Sequence, residues 1–107
     1  MRTDPRLRIL VTDQDQCHGR PVSPTDCPVA LATYGALREA LGEAAQGWTV
    51  LVDSDLIEVW LKRPGDGVEA LVGTIELPEA VVEAICAYDL EHAPLVGVAF
   101  EATLQPD

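Results

Sequence analysis

The chain is short of several things, and each shortage removes a class of function. Positive charge is scarce: seven Lys and Arg stand against eighteen Asp and Glu, a formal net charge of −11. A field of that sign repels polyanions, so long nucleic acids are not expected as partners. Aromatic residues are few (two Trp, two Tyr and one Phe), which leaves Leu, Val, Ile and Ala to build the core. No apolar run approaches the roughly 18 residues a membrane span needs, so no membrane partner is expected. The apolar run after Met1–Arg6 is too short for a signal-peptide core. A cytoplasmic protein is therefore expected, with its three cysteines reduced. There is no phosphate-binding loop, dinucleotide fingerprint or serine elbow, and no internal repeat.

What is present describes one folded domain spanning residues 1–107. The length suffices for one core and not two, and a hydrophobic share of 48% belongs to a folded chain rather than a disordered one. The charge is unevenly spread. Residues 1–38 carry Arg2, Arg6, Arg8, Arg20 and Arg38 against four acids, a balance of +1; residues 39–107 stand at −12. The first third is the region where an anion meets the least repulsion, although an acidic surface with scattered arginines would look the same.

Periodicity predicts the elements. Leu7–Thr12 reads as a strand with Ile9 and Val11 on one face. Asp13–Asp26, with Gly19, Pro21 and Pro24, reads as a loop of fourteen residues, a length that is usually functional or disordered. Pro28–Gln46 reads as a helix with Ala30, Tyr34, Leu37, Leu41 and Ala44 on one stripe. Trp48–Asp53, Leu56–Arg63 and Val68–Leu77 read as strands joined by turns at 53–55 and 64–67, which favours antiparallel hairpins. A second helix opens at Leu77-Pro78-Glu79, with Val81, Val82, Ile85 and Tyr88 on its apolar face. Leu95–Leu104 reads as the last strand, and Gln105–Asp107 is expected to fray. The expected class is α+β, in the order β-α-β-β-β-α-β, with an antiparallel or mixed sheet and two helices on one face.

Reactive groups meet ordered backbone at Thr25–Ala32. With Pro28 at the first helical position, Cys27 becomes the N-cap, and the positive helix end favours its thiolate. The unpaired N–H groups of Val29 and Ala30 would offer an anion site there. Cys27 then reads as a nucleophile, a redox thiol, part of an anion pocket, or a small buried residue at a tight corner. His18 and Arg20 lie in the loop leading to it, and a Cys27–His18 dyad is permitted but not required. Zinc is disfavoured, because Cys17 and His18 are adjacent and no Cys-x-x-Cys exists. Asp53, Asp55 and Glu58 read as turn acids, and Trp48 and Trp60 as core or oligomer contacts.

Four motifs, in order, resemble a family of small proteins of phage and actinobacterial genomes. They are Cys27-Pro28-Val29-Ala30-Leu31-Ala32, Leu77-Pro78-Glu79-Ala80-Val81, Tyr88-Asp89 and Val98-Ala99-Phe100-Glu101. Pro24 stands where such proteins often carry a second Cys, and Asp15 where they often carry a His, which argues against a shared metal site. The resemblance implies the architecture and a phage origin rather than an activity.

The function these readings favour is small-ligand binding without catalysis, by a homo-oligomer. A small anion or nucleotide would sit at the start of the first helix, held by His18, Arg20, Cys27, Val29 and Ala30, with Arg6 or Arg8 adding charge. No metal and no cofactor is expected. In a viral setting the use would be to sequester a host signalling nucleotide. The alternatives are a structural or protein-interaction domain using the Trp60 face or the last strand, and a thiol-dependent enzyme.

Overall fold

The computed structural model describes residues 6–19, 27–53, 55–62 and 69–106. The chain runs β1 (Arg6–Leu10), α1 (Asp13–His18), α2 (Pro28–Leu41), a 3-10 turn (Gly42–Ala45), β2 (Trp48–Val52), β3 (Leu56–Lys62), β4 (Glu69–Glu76), α3 (Glu79–Glu91), β5 (Ala99–Thr103) and β6 (Gln105–Pro106). The α+β class stands, and every strand pairing among the described residues is antiparallel.

The strands form two sheets rather than one. β1 pairs with β5, and β2-β3-β4-β6 form the second sheet. Helix α2 packs against β1 of one and β2 of the other. Alternation decides what each strand buries. Leu7, Ile9 and Val11 point inward while Arg6, Arg8 and Leu10 point out; Val50, Val52, Ile57, Val59 and Ile75 do the same for the second sheet. Helix α2 answers with Val29, Ala30 and Leu37. Tyr34 and Leu41 of the expected stripe are half-buried and Ala44 is exposed, so the first turns of α2 are its most enclosed part. Thr33 is fully buried there and meets its polar need inside the helix, its hydroxyl donating to the Val29 carbonyl at 2.7 Å.

The first helix ends at Leu41 rather than Gln46, its last turn replaced by the 3-10 turn, and three further elements depart from the sequence reading. The expected loop Asp13–Asp26 opens with a helix, because Thr12 and Asp15 close a reciprocal capping box; residues 20–26 lie outside the described residues. The last strand begins only at Ala99. Leu95–Val98 is instead a turn, closed by the Val98 N–H on the Leu95 carbonyl at 3.0 Å, with Gly97 at φ 87°. Gly97 and Val98 both face Val11: the Gly97 N–H donates to the Val11 carbonyl and the Val11 N–H to the Val98 carbonyl, each at 2.9 Å. That two-against-one arrangement is a glycine β-bulge.

The third departure is the C-terminus. Gln105 and Pro106 do not fray but pair with Thr74 and Gly73. The chain therefore leaves the small sheet and joins the large one across one buried residue, Leu104. Gly73 admits it: a Cβ at that position would collide with the Gln105 carbonyl and lie 3.1 Å from Leu104 Cδ1. Gly73→Ala should displace β6 and destabilise the protein by about 1–3 kcal/mol, the usual range for forced overpacking. A urea midpoint equal to wild type would contradict that account.

Candidate functional site

The start of α2 is built from a close approach. Gly19 caps α1 with its N–H on the Asp15 carbonyl at 2.9 Å. A Cβ on Gly19 would come within 2.6 Å of the Pro28 ring, so glycine is what lets the end of α1 rest on the first residue of α2. Helix α1 is also tied to the far end of the chain. Gln16 Oε1 accepts from the Leu95 N–H at 2.6 Å and from the Val96 N–H at 3.1 Å, satisfying two amides of the turn after α3.

Cys27 is the N-cap of α2, as its place before Pro28 implies, but it makes no side-chain capping hydrogen bond. It is 3% exposed, and Val29 and Ala30 are buried with it. Burial pushes the Cys27 thiol above the ordinary cysteine value. The Ala30 and Val29 N–H groups pull the other way and lose, and the nearby Asp89 charge adds to the rise. The expectation that the helix end favours the thiolate is thus overturned: desolvation outweighs the dipole. Tyr88, buried on the last turns of α3, is pushed up as well, by burial first and then by the charges of Cys27 and Asp89. What lies against the Val29 and Ala30 N–H groups is the protein's own buried sulfur, with the Asp89 charge nearby.

The other residues expected at this site are placed differently. His18 is exposed on the last turn of α1 and is not among the groups acting on the thiol. Arg20 lies outside the described residues. Cys17 and Cys86 are exposed. Among the described residues no group of three or more His, Cys, Asp or Glu is placed to hold a metal, and no helix is long and apolar enough to cross a membrane.

Among the described residues, open space lies along β1. A cleft of about 600 Å³ runs between β1 and α2, lined by Arg6, Arg8, Leu10, Ala36, Glu39 and Ala40 among others. It continues into a second part of about 330 Å³ towards Thr12 and Asp15, sharing Arg8, Leu10, Ala36 and Glu39. Arg6 is tied to Glu101 at 3.0 Å. Arg8 is exposed and forms no ion pair among the described residues. Leu10 is 52% exposed. The outward turn of Arg6, Arg8 and Leu10 was readable from strand alternation; that α2 stands opposite them was not.

No family model, curated protein or solved structure matches the chain.

The buried thiol has a chemical signature. At pH 7, iodoacetamide should modify Cys17 and Cys86 about tenfold or more faster than Cys27 in the folded protein. The linkage has a definite sign. The folded thiol keeps its proton to higher pH than the unfolded one, so its contribution is intact below about pH 8.5 and is lost as pH rises beyond that. The alkaline fall in urea midpoint should be smaller in Cys27→Ala than in wild type; equal falls, or rapid Cys27 alkylation at pH 7, would refute the assignment.

Proposed function

We propose that this protein binds an anionic ligand without catalysis, and that the ligand sits in the β1–α2 cleft rather than over the start of α2. The observation that carries this is Arg8: an exposed cation without an ion pair among the described residues, common to both parts of the cleft, in a chain of net charge −11. The volume of about 600 Å³ falls in the range usual for small-molecule sites, and a phosphate-bearing metabolite such as a nucleotide fits it by size, with Arg8 as its cation and Glu39, also common to both parts, offsetting part of that charge. Arg6 adds positive field at the same mouth, although Glu101 neutralises part of it. Cys27 supports no thiol mechanism, being buried and held protonated. Sequestration of a host nucleotide by a phage protein remains a coherent use, resting on the motif resemblance alone.

The test is a thermal-stability screen against phosphate, nucleotides and small dicarboxylates, repeated with Arg8→Ala. Saturating ligand at 100 times its Kd should stabilise by about 2.7 kcal/mol, and Arg8→Ala should remove most of the gain. No stabilisation by any of them, or the same stabilisation in the variant, rejects the reading.

A second reading has its own observation. The outer face of the large sheet groups Leu51, Trp60 and Leu71, each partly exposed, with Trp60 paired across to Thr49 and Leu71. A half-exposed Trp between leucines suits a homo-oligomer contact. Sedimentation should then give a dimer or larger species that Trp60→Glu converts to monomer; a monomeric wild type at 100 µM, a concentration on the order of weak-dimer dissociation constants, removes it.

A further inference from the structure

We infer that α1 is a gate: it opens as one body about Thr12, while the rest of the fold stays in place, and its opening bares Pro28 and the Cys27 thiol beside it.

None of the six residues of α1 is buried. A helix that short does not hold itself in water, since isolated helices are marginal below roughly 12–15 residues. The capping box orders its first turn but ties it only to Thr12. The docked position of α1 therefore depends on contacts outside the helix. Elements with few buried apolar contacts open locally at a lower free energy than the whole chain.

Two anchors stand out among the described residues. Gln16 Oε1 takes the Leu95 and Val96 N–H groups at 2.6 and 3.1 Å. Gly19 lies so close to the Pro28 ring that a Cβ would come within 2.6 Å of it. The anchors reach different parts of the fold, and both partners have supports of their own. The Leu95–Val98 turn is closed by the Val98 N–H on the Leu95 carbonyl and held by the Gly97 N–H on the Val11 carbonyl. Helix α2 is held by the burial of Val29, Ala30 and Leu37. Release of α1 thus leaves each partner in its place.

The hinge is marked as clearly. Val11 is buried and exchanges backbone hydrogen bonds with Gly97 and Val98, each at 2.9 Å. Thr12, the next residue, is exposed. The chain is fixed up to Val11 and turns freely from Thr12 onward.

Behind the closed gate Pro28 is fully buried, with Gly19 against its ring, and Cys27 precedes it. Desolvation is the main cause that pushes the thiol up, and the Ala30 and Val29 N–H groups pull it down. Wetting the sulfur removes the first and leaves the second. The thiol is inert while α1 is docked and reacts when it opens.

The test cuts one anchor at a time in the full chain. Gln16→Ala removes the acceptor of the Leu95 and Val96 amides. Gly19→Ala drives the end of α1 off Pro28. Iodoacetamide labelling of Cys27 is read by mass spectrometry, and amide exchange by NMR. Gln16→Ala should speed Cys27 labelling about tenfold, the loss expected from two hydrogen bonds. Gly19→Ala should speed exchange at Leu95 and Val96 although Gln16 is intact. The Val11 and Gly97 amides, on the fixed side of the hinge, should not change in either. In the wild type, labelling of Cys27 should depend on urea more weakly than exchange of the β3–β4 amides, because the opening exposes less surface than global unfolding. The inference is overturned if Cys27 labelling follows the β3–β4 amides in urea, or if each substitution acts only at its own anchor. Should Gly19→Ala not fold, an unchanged Cys27 labelling rate in Gln16→Ala is enough to reject the gate.

Discussion

The enclosure of α2 between two sheets is the contact on which the rest of this structure depends. Val29, Ala30 and Leu37 are buried against strands that belong to different sheets, β1 and β2. Leu7 and Ile9 on one side and Val50 and Val59 on the other belong to the same buried cluster as these helix residues. Each sheet is small. A two-stranded ribbon such as β1-β5 is marginal alone and needs a packed face to persist. The helix supplies part of that face to the two-stranded ribbon and to the four-stranded sheet alike.

The same enclosure decides the chemistry at Cys27. A helix N-terminus offers a positive end worth roughly 0.3–1 kcal/mol to an anion when it is near the surface. Burying a charge costs more than that. Because α1 rests on Pro28 through Gly19, and Tyr88 and Asp89 of α3 lie close by, the start of α2 is inside the protein. Residue type and position were right for an activated thiol, and surroundings reversed the outcome. The opposite holds for β1. Its outward side chains belong to an ordinary amphipathic strand, and only the stance of α2 beside them makes a cleft.

Elements with strong local codes were legible: the Pro28 helix start and the Leu77-Pro78-Glu79 opening of α3 appear where the chain predicts them, whereas in β3 the alternation that buries Ile57 and Val59 does not carry on to Leu61, which is exposed beyond the register shift between Val59 and Trp60. Helix α1 was missed although its code was present, since Thr12 and Asp15 have capping-box spacing; six residues with none buried give no apolar period to find. Gln16 was missed for a different reason. Its role is to accept from amides 79 and 80 positions away, and nothing local marks such a partner.

By itself the sequence determined the α+β class, the antiparallel hairpins and the inward face of the first strand, because alternation, helical period and turn residues act over a few positions. It determined equally that the surface is acidic outside the first third. Tertiary structure alone decided that the strands divide into two sheets, that Leu104 carries the chain from one to the other past Gly73, and that a cleft opens between β1 and α2. Those outcomes depend on which distant backbone groups find one another, and long-range pairing is set by packing the whole chain, not by any local pattern.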